Sequence, residues 1–152
     1  MKKIKTISKK EVEKLIQDQI GQDYCAEDKD YQLLPEKFFG KTRLQKIAGM
    51  VGWYYVAEGF DCDNFADKLR QQFKDRYWKK YVRSSGSNNS IGSYPDIFIE
   101  CIKVQYPNAR MPHWFLIAIC DDGKGGPKII FRERTSDDIV TPQEGYDIIR
   151  IK

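Results

Sequence analysis

The stretch Glu58-Gly59-Phe60-Asp61-Cys62-Asp63-Asn64-Phe65-Ala66 decides the fold, because an aromatic segment turns here into a long amphipathic helix. From Asp63 to Arg83 an apolar residue recurs every four positions on one slowly drifting helix face. The members of this stripe are Phe65, Leu69, Phe73 and Tyr77. The sequence therefore predicts a helix that starts near Cys62 and buries the stripe.

The N-terminal half of the chain is predicted to be helical. Ser8-Lys9-Lys10-Glu11 has the capping-box pattern that opens a helix, and Gly21 is expected to end that helix. Residues 22–34 are polar and acidic, which predicts a loop. Pro35 can start a second helical region that runs to about residue 49. Residues 50–56 are apolar and glycine-spaced, and they fit a helix or a strand equally well.

The C-terminal half changes character and is predicted to be stranded. The glycine-rich segment Asp121-Asp122-Gly123-Lys124-Gly125-Gly126 suggests a hairpin connection between the second and third strands. Helices followed by strands predict an α+β fold with an antiparallel sheet. The four predicted strands are Asp96–Tyr106, His113–Cys120, Lys128–Glu133 and Tyr146–Ile151.

Bulk properties predict one cytoplasmic domain that spans residues 1–152. No apolar run reaches membrane-spanning length, and the N-terminus lacks the apolar stretch of a signal peptide. The net charge of +4 is too small to indicate nucleic acid or an anionic surface by itself. No CxxC pair is present, which argues against a zinc knuckle, and Cys101 and Cys120 are predicted to be core residues of apolar strands.

Cys62 lies where a thiol can become a nucleophile. The N-terminus of a helix carries partial positive charge, which favours the thiolate, and its backbone N–H groups can donate to an oxyanion. Asp61 and Asp63 act in the opposite direction, since neighbouring negative charges raise the pKa of a thiol. A structural cysteine is the alternative at this position.

His113 and Glu133 are the candidate partners of this thiol. His113 opens a run that is apolar at both parities, which predicts a central strand covered on both faces. Glu133 shares a strand face with Ile129 and Phe131, and a carboxylate that ends an apolar row needs a partner such as an imidazole. The alternatives are a hydrogen-bonded histidine at a strand edge and a salt bridge from Glu133 to a neighbouring arginine.

The order Cys, His, Glu and its local contexts resemble a papain-like or transglutaminase-like fold. Phe60-Asp61-Cys62-Asp63-Asn64-Phe65-Ala66 is similar to the helix start of such small domains, including the C-terminal domain of a mushroom agglutinin and small bacterial and phage proteins. Pro112-His113-Trp114-Phe115 resembles the histidine strand. Ile130-Phe131-Arg132-Glu133 resembles the glutamate strand, although Arg134 stands where proline is usual. The resemblance covers roughly residues 53–151.

The resemblance implies a catalytic triad on a helix start packed against a C-terminal antiparallel sheet. Cys62 would be the nucleophile, His113 the general base and then acid, and Glu133 the carboxylate that orients the imidazole. The implied reaction is acyl transfer through a thioester, with a peptide or protein as substrate. The agglutinin domain is calcium-dependent, so Asp61, Asp63 and Asp67 are the residues to consider for calcium, although an acidic helix start commonly only complements the helix dipole. We therefore expect no cofactor or metal.

Two other functions stay open. The first is an inactive papain-like accessory protein, since no glutamine stands within Trp53–Phe60, where papain-like enzymes carry one to complete the oxyanion hole. The second is a nucleic-acid-binding module that uses the helix of residues 68–83. That helix interleaves basic and aromatic side chains, which can contact phosphates and stacked bases. Its relevant residues are Phe73, Lys74, Arg76, Tyr77, Trp78, Lys79, Lys80, Tyr81 and Arg83.

Overall fold

Helices and strands both form, as expected for an α+β fold, in a computed structural model that describes residues 5–40, 62–83, 95–105, 113–132 and 147–151. Side chains are described over 5–40, 66–83, 95–103 and 114–132. The helical elements in these ranges are α1 (Lys9–Ile20), a 3-10 helix (Glu36–Phe39), α2 (Cys62–Tyr77) and a π-helix (Trp78–Val82). The strands are β1 (Thr6–Ser8), β2 (Asp30–Gln32), β3 (Asp96–Ile97), β4 (Ile99–Gln105), β5 (His113–Asp121), β6 (Pro127–Arg132) and β7 (Asp147–Ile151).

The ends of α1 form as its capping residues predict. The Ser8 hydroxyl accepts a hydrogen bond from the Glu11 amide at 3.2 Å, and the Glu11 carboxylate accepts one from the Ser8 amide at 3.4 Å. Gly21 ends the helix with a φ of 79°, a left-handed conformation that glycine adopts without steric cost. Val12 and Ile16 are the residues of α1 that become buried.

The described strands form two sheets, with the orders β1-β2-β3 and β6-β5-β4-β7. Within the larger sheet every described pairing is antiparallel, as predicted. The smaller sheet pairs β1 with β2 antiparallel and β2 with β3 parallel. The four predicted strands of the C-terminal half correspond to β3 together with β4, to β5, to β6 and to β7.

Two of these elements correct the sequence interpretation. The prediction of a loop over residues 22–34 and of an entirely helical N-terminal half is wrong, because β2 forms there and buries Tyr31 against Phe98. The predicted single strand Asp96–Tyr106 is divided at Phe98, so that β3 belongs to the smaller sheet and β4 to the larger.

The second predicted helical region is described only over its first residues, 35–40. It forms a single 3-10 turn after Pro35, which Gly40 ends, and it buries Phe38 and Phe39. The remainder of that prediction, from residue 41 on, lies outside the described residues, as does the undecided segment 50–56.

Strand β5 is buried on both faces, which confirms the prediction of a central strand. Its even-numbered residues Leu116, Ala118 and Cys120 pack in one apolar cluster with α2. Its odd-numbered residues pack on the opposite face in a second cluster, which includes Val12 and Ile16 of α1. The odd-numbered residues concerned are Phe115, Ile117 and Ile119.

The helix predicted over Asp63–Arg83 forms as α2 and ends in a wider turn. Leu69, Phe73 and Tyr77 of the predicted stripe are buried, while the side chain of Phe65 lies outside the described set. After Tyr77 the chain continues as a π-helix, and the Arg83 amide donates to the carbonyl of Trp78, five residues earlier. Among the described residues, no helix is both long and apolar enough to cross a membrane.

Gln32 on the middle strand of the smaller sheet generates a prediction about stability. Its side chain is 1% exposed, and neither amide atom has a hydrogen-bond partner among the described residues. Because an unsatisfied buried polar group costs roughly 1–3 kcal/mol, we expect Gln32→Met to raise the free energy of unfolding by about 1 kcal/mol in urea titrations. The matched change Gln17→Met, on the exposed side of α1, should give no such gain. A loss of stability in Gln32→Met would show that the amide is satisfied.

Candidate functional site

The backbone positions of two predicted site residues are described. Cys62 is the first residue of α2, which agrees with the expected helix start. His113 is the first residue of β5. Only the backbone of these two residues is described. Glu133 follows the last residue of β6 and lies outside the described residues, as does Asp61.

Three side chains fix the direction in which α2 crosses the sheet. The Arg70 guanidinium donates from Nε to the carbonyl of Ile99 at 2.9 Å. One turn further along, Lys74 forms an ion pair of 2.5 Å with Asp96. The Tyr77 hydroxyl then donates to the carbonyl of Pro95. Higher numbers on the helix meet lower numbers on the segment from Pro95 to Ile99, so α2 runs antiparallel to that segment, whose last residue begins β4.

This direction leads the start of α2 towards one end of the larger sheet. Cys62 lies a little over two turns before Arg70, or about 12 Å along the helix axis. The same length covers between three and four residues of a strand, at roughly 3.3 Å each. Counted along β4 from Ile99, this length of about 12 Å ends near Lys103. Lys103 pairs with Trp114 and Val104 pairs with His113. The extrapolated path of α2 therefore leads back towards the end of the sheet where β5 begins.

Cationic and aromatic side chains lie on the α2 face at this end. Trp114 is partly buried against the cluster that contains α2, and the ammonium of Lys103 is 5.8 Å from the centre of its ring. Arg132 is 6% exposed and pairs with Leu116, and it shares its strand face with Ile130 of the same cluster. Such positive charge would favour the thiolate of a cysteine beside it, and the extrapolated path of α2 leads Cys62 towards this end of the sheet. The sequence alone does not predict that Lys103, Trp114 and Arg132 lie on one face of the sheet, because the pairing register of the strands decides this.

The three cysteines with described side chains are not candidates for the nucleophile. Cys101 and Cys120 are buried, as predicted for core residues, and Cys25 is exposed. Burial, with a smaller contribution from the charge of Glu36, raises the pKa of the Cys120 thiol to about 11. Cys25 has no role in the resemblance to papain-like proteins.

The calcium candidates at the start of α2 lie largely outside the described side chains. Asp67 is exposed on the first turns of the helix, and the side chain of Asp63 is not among those described. Within the described side chains, no group of three or more histidine, cysteine, aspartate or glutamate residues is placed to hold a metal ion.

Glu100 is the charged partner that helps Arg70 to hold α2 in place. Arg70 contacts Ile99 of β4. This residue comes before the part of β4 that pairs with β7, which among the described residues begins at Ile102. One guanidinium nitrogen of Arg70 lies 3.4 Å from the Glu100 carboxylate. Burial raises the pKa of Glu100, while the charges of Arg70 and Lys74 lower it, and burial has the larger effect. Burial and the charge of Glu100 in turn raise the pKa of Tyr24.

The pKa of Glu100 predicts how stability depends on pH. A carboxyl whose pKa is higher in the folded than in the unfolded state stabilises the fold below its ordinary pKa. That contribution is lost as the pH rises through the folded-state pKa. Glu100→Gln should therefore gain stability relative to the parent protein as the pH rises through the window that begins near the ordinary glutamate value. Urea titrations across this window measure the difference, and a difference that does not change with pH would contradict the assignment.

The buried thiols predict the order of alkylation in the folded protein. Because burial blocks access to Cys101 and Cys120, and also keeps the Cys120 thiol protonated, both should react with iodoacetamide on the order of a hundredfold more slowly than Cys25. Peptide mass spectrometry without and with denaturing urea measures each site, and all three should react alike after unfolding. Equal rates in the folded protein would mean that the core around β5 opens readily.

Comparisons with known proteins leave the family of this chain open. No model of a protein family matches the sequence, and no curated protein matches it. Function therefore has to be argued from the geometry of α2 and the larger sheet.

Proposed function

We propose that this protein is a cysteine-dependent amide or peptide hydrolase, or an acyl transferase, with a papain-like or transglutaminase-like architecture. Cys62 is the nucleophile, His113 the general base and then acid, and Glu133 the carboxylate that orients the imidazole. The observation that supports the proposal is the direction of α2, because its extrapolation leads the start of the helix towards the end of the sheet where β5 begins with His113.

The order of elements also supports this architecture. The cysteine helix precedes β4, β5 and β6 in the chain, and it packs on the face of β5. Strand β6 is the neighbour of β5, and its last residue, Arg132, pairs with Leu116, three residues inside the start of β5. Glu133 follows Arg132 directly, so the chain leaves β6 at the end of the sheet where β5 starts.

The reaction proceeds through a thioester in two halves. His113 accepts the proton of the Cys62 thiol, and the thiolate attacks the carbonyl carbon of an amide, which forms a C–S bond and a tetrahedral oxyanion. Unpaired backbone N–H groups in the first turn of α2 are the available donors to that oxygen. The imidazolium then protonates the leaving amine as the C–N bond breaks. Water, or a second amine, releases the acyl group with His113 again as base.

The proposal makes the same demand on the ends of β5 and β6, because the face predicted for Glu133 is that of Ile129 and Phe131, which pack in the cluster away from α2. The imidazole of His113 has to reach the face of the sheet on which α2 lies. Within β5 that face belongs to the even-numbered residues, among them Trp114 and Leu116. The first residue of the strand must therefore turn towards α2, and the reactivity of Cys62 reports whether it does.

The proposal predicts a reactive thiol that depends on the histidine. In a Cys25→Ser background, Cys62 should be alkylated by iodoacetamide at near-neutral pH about tenfold faster than a thiol with an unperturbed pKa. His113→Ala should abolish that advantage, and Glu133→Gln should reduce it. Cys62→Ala should remove hydrolysis of an activated ester such as p-nitrophenyl acetate, and His113→Ala should lower it by roughly a hundredfold or more.

Two results would count against the proposal in different ways. If Cys62 reacts at the rate of an ordinary thiol in the parent protein, the catalytic role of this residue is wrong. If Cys62 is reactive but His113→Ala leaves its rate unchanged, the thiol has another activating group. A circular dichroism spectrum of each variant shows that the fold is retained.

A further inference from the structure

The far end of α2 exposes an aromatic side chain that the proposed hydrolase does not use. Trp78 is the first residue of the π-helix, and its side chain is 44% exposed. Among the described residues, no other large hydrophobic side chain is exposed. Large apolar side chains left in water frequently mark binding surfaces, and tryptophan offers a flat face for stacking. π-helical turns are rare, and they occur frequently at functional sites.

Most of the basic and aromatic residues of the helix of residues 68–83 serve the fold. Phe73 and Tyr77 are buried in the apolar cluster of α2. Arg76 donates to the carbonyls of Phe38 and Gly40, at 2.8 and 3.1 Å. Arg70 and Lys74 make the contacts with β4 and Asp96 described above. These side chains are therefore engaged in holding the helix in the fold.

Three exposed cations lie close to Trp78 in the chain, and one of them, Lys80, also lies 5.5 Å from the centre of the Tyr81 ring. Lys79 and Lys80 follow Trp78 directly, and Arg83 is the residue whose amide bonds to the Trp78 carbonyl. All three cations are exposed. The wide turn puts Arg83 above Trp78, where a regular helix would already have rotated past it. An indole face is therefore flanked by positive charge on one short, well-ordered turn.

A depression of about 350 Å³ adjoins the indole. Val82 contributes apolar surface to it, while Gln71, Asp75 and Asp96 contribute amide and carboxylate groups. This volume lies within the range of sites that hold small molecules. The walls thus offer hydrogen-bond acceptors beside an aromatic platform, and Lys74, the cation that also lines the depression, is paired with Asp96.

We propose that the π-helical turn is a binding site for single-stranded nucleic acid. One base stacks on Trp78 with its edge towards the depression, and the adjoining phosphates contact Lys79 and Arg83. Charge complementarity favours this ligand, because the exposed cations of residues 75–83 (Lys79, Lys80 and Arg83) outnumber the exposed carboxylate of Asp75. Stacking on an aromatic platform beside a basic surface is how proteins bind single strands without reading their sequence.

The site is remote from the proposed nucleophile. Cys62 and Trp78 are at opposite ends of α2, roughly 24 Å apart along the helix axis. Binding at Trp78 therefore does not depend on the thiol chemistry, and Cys62→Ala should bind nucleic acid as the parent protein does.

Fluorescence anisotropy with a labelled oligodeoxythymidine of about 12 nucleotides tests the proposal. The full chain should bind at about 50 mM salt and much more weakly at about 200 mM salt. Trp78→Ala should weaken binding about tenfold, with Trp78→Phe in between, since loss of a stacked base has an effect of this size. Lys79→Gln and Arg83→Gln should each weaken binding and flatten its salt dependence. Lys14→Gln, at an exposed lysine of α1, is the matched control and should change neither.

Three outcomes would overturn the proposal. The first is the absence of binding at low salt. The second is binding that depends on salt but is unchanged by Trp78→Ala. The third is equal affinity for heparin, a polyanion without bases, together with equal sensitivity of both ligands to the Trp78 substitutions, which would make the turn a general anion surface. Because Trp78 is exposed, its replacement leaves the core intact.

Discussion

The structure depends on the burial of β5 on both of its faces. A strand in this position cannot be solvated on either side, so it needs an apolar layer above and below and a paired neighbour at each edge. The chain supplies α2 for one face, α1 for the other, and β4 and β6 for the edges. Two clusters that would each be small thus share one strand, and the placement of α2 follows from its need to cover that strand.

Burial alone does not decide which way a covering helix points. A stripe of apolar residues packs on a sheet in either direction, and polar contacts at the margins select one of them. Arg70 and Lys74 do so here, because each reaches a specific group next to β4. Once the direction is set, the two ends of α2 acquire different surroundings. One end starts with Cys62, and beyond the other end the chain exposes Trp78.

Local patterns predicted much of this fold, and long-range contacts account for what they missed. The capping residues of α1 and the stripe of α2 are read from neighbours a few positions apart, and both interpretations hold. Strand β2 was missed because its three residues show no period and become a strand only through their partners β1 and β3. The order Cys62, His113, Glu133 named the candidate site. No local pattern in the sequence predicts the register that pairs Lys103 with Trp114, although this register decides which side chains lie at that end of the sheet.

The division of a strand at Phe98 bears on how the molecule comes apart. Strands β3 and β4 belong to different sheets, yet only one residue separates them in the chain. The carbonyl of Phe98 accepts a hydrogen bond from Ile119 of β5, while its ring meets Tyr24 and Tyr31 edge-on. Two residues further along, β5 is also tied to the segment after β2, since the Asp121 amide donates to the carbonyl of Leu34. Fraying of the smaller sheet therefore pulls directly on the central strand of the larger one, and the two sheets share a single cooperative transition rather than opening as separate units.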